Sequence, residues 1–483
     1  MLELDPNSRE KLWKDVSAAV ETYFRELESL PVSPSMDPSV PRERLADVDF
    51  GVPMTQDAAL ALVLEGLRNQ QVHNGHPRYF GLFNPATTTM SIAADTLVAA
   101  FNPQLAAWTH APFACEVEQR MIREIGERFG YPPDATAGSF TTGGTEANHT
   151  ALLMALMRRF PELSEEGAQV IRGRPVLYVS PESHHSFLKA ARHAGIGTRA
   201  VRTVSVDDGF RLDADAVERM IVRDRKAGDV PFMVIATLGT TGAGLVDPVG
   251  RLADVSERHG LWLHADAAWG GAAALLPEMR HIFHGIERSD SITFDAHKWL
   301  GVPMGAGMFF TRHPEMPERT FGVDAGYMPR AKPGVEIVEP HRTSMQWTRR
   351  FIGLKLFFTC LVHGWQGYEE TIREMIRLGD VLRRKLEDAG WNVVNRTPLP
   401  VVCFQDGSTP KGASASHLEA IARAVVSSGG AWISTTMLGG TIPAIRACIT
   451  NFRNREEDID ALIDILRTVR DKEMSSRERS EEP

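Results

Sequence analysis

The chain has 483 residues, 43% hydrophobic and 24% charged, a profile that excludes a disordered or collagen-like chain and predicts roughly two or three folded domains. Fifty-three Lys and Arg stand against 62 Asp and Glu, a net charge of −9 with no dense basic run, so the electrostatic footprint of a nucleic-acid binder is missing. No uncharged apolar stretch reaches the ~18 residues of a membrane span.

Asp5-Pro6 is a capping pair, and Leu12, Val16, Val20, Phe24 and Leu27 follow at helical spacing, which predicts an amphipathic helix over 5–30. Pro31, Pro34, Pro38 and Pro41 mark a linker after it. A lone helix cannot bury its own stripe, so it must pack on the main body or on a partner subunit, and its isolation behind a linker favours the partner. From about 87 to 312 the pattern alternates. Helices are expected at 115–129, 145–160 and 213–226, and strands at Val176–Val179, Phe232–Ala236, Leu261–His264, Ser291–Phe294 and Gly307–Phe310. Short apolar runs between helices predict βαβ units, an α/β fold and a mostly parallel sheet covered on both faces.

Residues 322–345 carry Gly322, Gly326, Pro329, Pro333, Gly334 and Pro340 with no clear period, the mark of a functional loop. A new pattern starts near 368. A helix (368–389), strands near 391–394 and 401–404, a helix (415–427), strands near 432–435 and 445–449, and a helix at 455–470 make a small α+β module. The domain boundary is therefore expected near 365, and the charged tail 471–483 is expected to fray. The opening Met1-Leu2-Glu3-Leu4 lacks the basic and apolar regions of a secretory signal. Cys115, Cys360, Cys403 and Cys448 form no CxxC pair and read as reduced thiols of a cytoplasmic protein.

Three clusters lie at predicted strand ends, the edge where open α/β sheets bind ligands. Thr142-Gly143-Gly144-Thr145-Glu146-Ala147-Asn148 precedes a helix, and glycines with free N–H groups there suit a phosphate, although a plain Thr-capped turn has the same composition. His264-Ala265-Asp266-Ala267-Ala268 delivers an acid that could hold a cation, a metal or a protonated heterocycle. Asp295-Ala296-His297-Lys298-Trp299 delivers a lysine hemmed by apolar residues, able to form a Schiff base or to lie along Trp299 at the surface. Together, a phosphate cradle, a carboxylate and a lysine are the parts that hold pyridoxal 5′-phosphate. A rival reading takes His264, Asp266 and His297 as a two-histidine, one-carboxylate iron site. It leaves Lys298 and the Gly143-Gly144 turn unused and belongs on a β-barrel, so no metal is expected.

These motifs resemble the group II pyridoxal-phosphate-dependent amino-acid decarboxylases, from about His76-Pro77-Arg78-Tyr79-Phe80 to Arg446. The resemblance implies the type I fold of these transferases: an N-terminal helical segment (1–85) at a homodimer interface, a large cofactor domain (86–365) and a small C-terminal α+β domain (366–483). It makes Lys298 the Schiff-base lysine, Asp266 the partner of the pyridine nitrogen, Ala268 a packing contact on the ring and His184 the stacking residue, with His185 the candidate if the register slips by one. Gly143, Gly144, Thr145 and His297 match phosphate contacts, and Thr241 matches a threonine near the cofactor. Tyr327 matches a loop tyrosine that protonates the α-carbon, and Arg446 an arginine near the substrate carboxylate.

The reaction implied is loss of CO₂ from a small amino-acid substrate to give an amine. Aldehyde formation, transamination and a silent cofactor-binding protein are the alternatives. Gly81-Leu82 stands where glutamate enzymes carry a polar pair. Phe80, Phe83 and Trp108 could form an apolar wall, so the expected substrate is an aromatic L-amino acid, with acidic or diamino acids as alternatives.

Overall fold

The apolar runs in the middle of the chain become strands of one sheet. In the computed structural model residues 2–34, 36–83, 85–326, 328, 337–409 and 413–481 are described, with side chains described up to 472. The strands are β1 (Ala137–Thr141), β2 (Pro175–Val179), β3 (Val201–Thr203), β4 (Val230–Thr237), β5 (Trp262–Asp266), β6 (Ser291–Asp295) and β7 (Gly307–Thr311). Their order is β1-β7-β6-β5-β4-β2-β3. All neighbours are parallel except β7, which runs antiparallel to β1 and β6. The sheet is thus mostly parallel, as the alternation predicts, and its central strands are buried along their whole length because helices cover both faces. Strands β1 and β3 escaped the sequence reading: Ala137-Gly138-Ser139 is not an apolar run, and β3 is only three residues long.

Helix α1 (Pro6–Glu26) starts where its cap predicts, the Asp5 carboxylate accepting from the backbone N–H groups of Asn7 and Ser8 at 3.0 and 3.2 Å. None of its residues is buried within the chain. Three further helices were not read from the pattern: α2 (Ser39–Ala46), α3 (Gln56–Asn69) and α4 (Thr89–Phe101). Thr55 and Thr88 cap the last two through their side chains. Then come α5 (Pro112–Arg128) and α6 (Gly144–Arg159).

A second, antiparallel sheet is built from β8 (Trp391–Val393), β9 (Val401–Asp406), β10 (Ser434–Leu438) and β11 (Ile442–Cys448), in the order β10-β11-β9-β8. The helix expected to start at 368 begins at Leu354 and runs to Asp388, broken at Gly364, whose φ of 61° no helix continues through. The last helix runs from Glu456 to Glu481 rather than ending near 470. Nothing in that stretch is Gly or Pro, so no residue stops it. Within the segment expected to be irregular, Pro340–Thr343 forms a short helix, and Tyr327 lies outside the described residues. Beyond it, the buried pair Arg349–Glu118 fixes the chain to α5, with Glu118 also accepting from the N–H groups of Ile352 and Gly353. Among the described residues no helix is long and apolar enough to cross a membrane.

Two backbone stitches bring the early chain onto the second sheet. Phe80 N–H donates to the Trp432 carbonyl at 2.9 Å, and Cys448 N–H donates to the Phe80 carbonyl at 2.9 Å. Residues 79–83 therefore run beside β11 and reach the ends of β4 and β5, where the two sheets meet.

Candidate active site

A cavity of about 360 Å³ opens at the C-terminal ends of β1, β4, β5 and β6. Parallel strands all deliver their following residues to this edge, so segments distant in sequence converge on it. Gly143, Gly144 and Thr145 line it from the turn into α6. Asp266 and Ala268 come from the end of β5, and His297 and Lys298 follow β6. His184 comes from the segment after β2, and Thr241 from the segment after β4. The structure thus gathers nine of the sequence-predicted site residues around one space.

The Lys298 ammonium lies 3.0 Å from an Asp295 carboxylate oxygen, and the other oxygen of Asp295 is buried without a partner. His297 Nδ1 accepts from the Ala306 N–H at 3.2 Å, which leaves its Nε2–H as a donor, and burial pushes this imidazole down from its ordinary pKa. His184 Nδ1 likewise accepts from the Ser186 N–H at 3.2 Å. Burial pushes His184 down too, partly offset by the Asp266 carboxylate. His184 and not His185 lines this cavity.

The Asp266 carboxylate accepts from the Ala268 N–H at 3.2 Å and from Asn148 Nδ2 at 2.8 Å. Behind it His264 has both ring nitrogens engaged, one with Asn148 at 3.0 Å and one with Ser291 at 2.8 Å. The two-histidine iron reading therefore lacks an open nitrogen at His264. Asn148, Asp295 and Glu146 have no role in the sequence reading, and His264 has one only in the rival iron site, although all four sit in the quoted motifs. The signal missed was their proximity to the acid and the lysine, which only pairing of β5 with β6 creates.

Next to the first cavity lies a second of about 510 Å³, sharing His184 and Thr241 with it and bounded by Leu82, Pro181, Met437 and Arg446. The Arg446 guanidinium is buried. Its Nε donates to the Thr241 carbonyl at 2.8 Å and one Nη to the Gly81 carbonyl at 3.1 Å, while the other Nη is buried without a partner. Three expected wall residues lie elsewhere. Phe80 is fully buried in the core because its backbone is stitched to the second sheet. Phe83 stacks on Trp269 at 4.3 Å and lies under the Arg446 guanidinium. Trp108 packs beside Val98 and Phe351, its indole N–H donating to Glu116 at 2.8 Å. The aromatic rings thus support Arg446 and the core and do not border either cavity.

The pyridoxal-dependent decarboxylase conserved domain matches residues 51–406, most of the chain. This chain belongs to that family. The decarboxylase is 30% identical to a tyrosine decarboxylase of Oryza sativa subsp. japonica over 487 residues, covering 94% of this chain and 90% of that protein. It is 31% identical to cysteine sulfinic acid decarboxylase of Mus musculus over 370 residues, covering 75% of this chain and 73% of that protein. A crystal structure of mouse CSAD superposes with a TM-score of 0.89 at 26% identity, covering 96% of this chain and 99% of that one. The protein is a pyridoxal-phosphate-dependent carboxy-lyase acting on an amino acid.

The cavity of the decarboxylase fits that cofactor. A Cβ added at Gly144 would come 2.8 Å from the Asp295 carboxylate, so only glycine leaves the turn open to a phosphate there. Gly239, at a φ of 114°, lies against the Gly270 backbone on the cavity floor, where a side chain would be both strained and crowded. The lining combines the turn at Gly143, Gly144 and Thr145 with two imidazoles (His184 and His297), one amine (Lys298) and the carboxylates of Glu146, Asp266 and Asp295. All four cysteines are free, and burial pushes Cys115, Cys360 and Cys403 up to about 12 and Cys448 to about 11, so none serves as a thiolate at neutral pH.

His264 makes a pH prediction. Burial pushes it down to about 4, the Asp266 charge opposing this only in part. Below about pH 6.5 the unfolded chain takes up a proton that the folded protein refuses. The His264 contribution to stability should therefore be complete above about 6.5 and decline as pH falls toward 4, by roughly 3 kcal/mol. Urea midpoints of the parent and His264→Asn between pH 7 and 4.5 should converge as pH falls; parallel curves would refute it.

Proposed function

We propose that the decarboxylase converts an aromatic L-amino acid to its amine and CO₂. One observation carries the substrate class: Arg446 is the single Lys or Arg among the described residues bordering the second cavity, where it shares the lining with the Glu182 carboxylate, His184, His185, several hydroxyls and the apolar Leu82, Pro181 and Met437. With that cation engaged by the substrate α-carboxylate, an acidic side chain has no second cation to meet, whereas an uncharged ring has an apolar wall. Kinship does not choose, because relatives at similar distance are named for tyrosine and for cysteine sulfinic acid.

When bound, pyridoxal phosphate supplies an electron sink for the pair left behind as CO₂ departs. In our reading Lys298 tethers it through Nζ, and the N–H groups at Gly143, Gly144 and Thr145 with His297 Nε2–H hold its phosphate. Asp266 keeps the proton on its ring nitrogen, Ala268 packs beneath the ring and Thr241 borders it. His184 covers the other face, and its neutral imidazole can hold and pass a proton. Arg446 orients the substrate carboxylate from the side. A strong ion pair there would stabilise the bound substrate against reaction, so its engagement with the Thr241 and Gly81 carbonyls suits a positioning role. Tyr327 delivers the proton to the α-carbon.

The same reading divides the chain into a helical segment (1–85), a cofactor domain (86–365) and a small domain (366–483). It makes the functional unit a cytoplasmic homodimer. Its support is a set of large apolar side chains left exposed on the early helices, among them Trp13 on α1, Val63 and Leu67 on α3 and Phe101 on α4, together with cysteines that are all reduced.

Measuring CO₂ release and amine formation from L-tyrosine, L-phenylalanine, L-tryptophan, L-glutamate, L-cysteine sulfinate and L-2,4-diaminobutyrate tests this. Aromatic amines are the expected products. Turnover of an acidic or diamino acid alone would overturn the substrate class, and an aldehyde with ammonia and peroxide would overturn the product.

A further inference from the structure

Asn148 donates from one amide nitrogen to two acceptors, Asp266 Oδ2 at 2.8 Å and Ser186 Oγ at 2.9 Å, which uses both of its hydrogens. The reverse amide orientation would set an oxygen against the carboxylate, so the orientation is forced. Asn148 Oδ1 must then accept, and its partner is His264 Nε2 at 3.0 Å. His264 is therefore the Nε2–H tautomer, and its Nδ1 accepts from the Ser291 hydroxyl at 2.8 Å. Ser291 Oγ in turn accepts from the Trp262 indole N–H at 2.8 Å. An indole nitrogen only donates, in keeping with that direction. Trp262, Ser291, His264, Asn148 and Asp266 are all buried, at 5% exposure or less.

We propose that Trp262, Ser291, His264 and Asn148 form a hydrogen-bond relay of fixed polarity that positions Asp266 and keeps it an acceptor toward the cofactor ring nitrogen. This rests on Asp266 facing that nitrogen. Four features argue for it. Every link has one direction, set at the near end by the Asp266 carboxylate, which only accepts. The link touching Asp266 is an amide, which donates a hydrogen bond yet takes up no proton, so it does not neutralise the carboxylate as an imidazolium would. The charge of Asp266 is left for the ring nitrogen alone. The same amide reaches Ser186, whose N–H donates to His184 Nδ1, so one side chain sets both the acid and the stacking histidine. These are positioning residues: none of Trp262, His264 or Ser291 borders the cavity.

The test uses the holoenzyme reconstituted with pyridoxal phosphate labelled with ¹⁵N in the ring. Ser291→Ala and Trp262→Phe break the relay at its far end, where the cofactor is not touched. Each should move the ring-nitrogen shift toward the unprotonated value, weaken cofactor retention on dialysis and lower kcat about tenfold with KM little changed, as outer partners of reactive groups generally do. Ser291→Thr keeps the hydroxyl and should restore the parent shift. A parent-like nitrogen shift in both Ser291→Ala and Trp262→Phe would overturn the relay, and so would a Ser291→Thr protein that behaves like Ser291→Ala. The reading it rests on fails separately: if Asp266→Asn leaves the nitrogen shift unchanged, Asp266 does not face the ring nitrogen at all.

Discussion

Lys298→Ala should lower kcat by at least ~10³-fold, because it removes the amine proposed as the covalent tether, which must also give way to the substrate amine. The side chain borders the cavity, and its one ionic partner is Asp295 at 3.0 Å, so little packing is lost with it. Lys298→Arg sharpens the test. The guanidinium keeps the positive charge beside Asp295 but has no nucleophilic amine at neutral pH. Both variants should be equally inactive, and borohydride, which should lock the cofactor onto the parent chain, should leave it removable from either. The measurements are turnover by CO₂ release and the mass of the borohydride-treated chain. Turnover by either variant within about tenfold of the parent would remove Lys298 from the mechanism.

Asp266→Asn should lower kcat by about 10²–10³-fold, the range for removing one preorganised electrostatic partner from a reacting centre. The substitution keeps size and shape but removes the charge. It also turns one acceptor into a donor: the new amide nitrogen would face either Asn148 Nδ2 or the Ala268 N–H, which now donate to the carboxylate at 2.8 and 3.2 Å. Cofactor affinity should fall as well, read by titration of the apoenzyme. Asp266→Glu retains the charge but moves it by one methylene, and it should recover part of the loss. Parent-like turnover in Asp266→Asn would sink the assignment.

Much of this was legible beforehand. Buried parallel strands demand continuous apolar runs, and five such runs announced β2, β4, β5, β6 and β7. Asp5 announced the start of α1 through its cap. The three motifs announced the cavity because each follows an apolar run, and the ends of parallel strands share one edge. Strand β1 did not show, since its pairing with β7 relies on backbone groups and not on side-chain pattern. Helices α2 to α4 were hidden by weak amphipathicity next to a proline-rich stretch. The extension of the final helix past 470 was hidden by charge, which resembles a frayed tail when no neighbour is in view.

The order of glycines, acid and lysine along the chain determined by itself the family and the cofactor, because that chemistry requires those groups at strand ends whatever lies between. Tertiary structure alone decided where the aromatic rings go. Phe80 has the composition of a pocket wall, but its backbone bonds to Trp432 and Cys448 turn it into the core. The relay behind Asp266 is of the same kind. His264 and Ser291 are 27 residues apart and become partners only because β5 and β6 lie side by side, in a register no local pattern encodes.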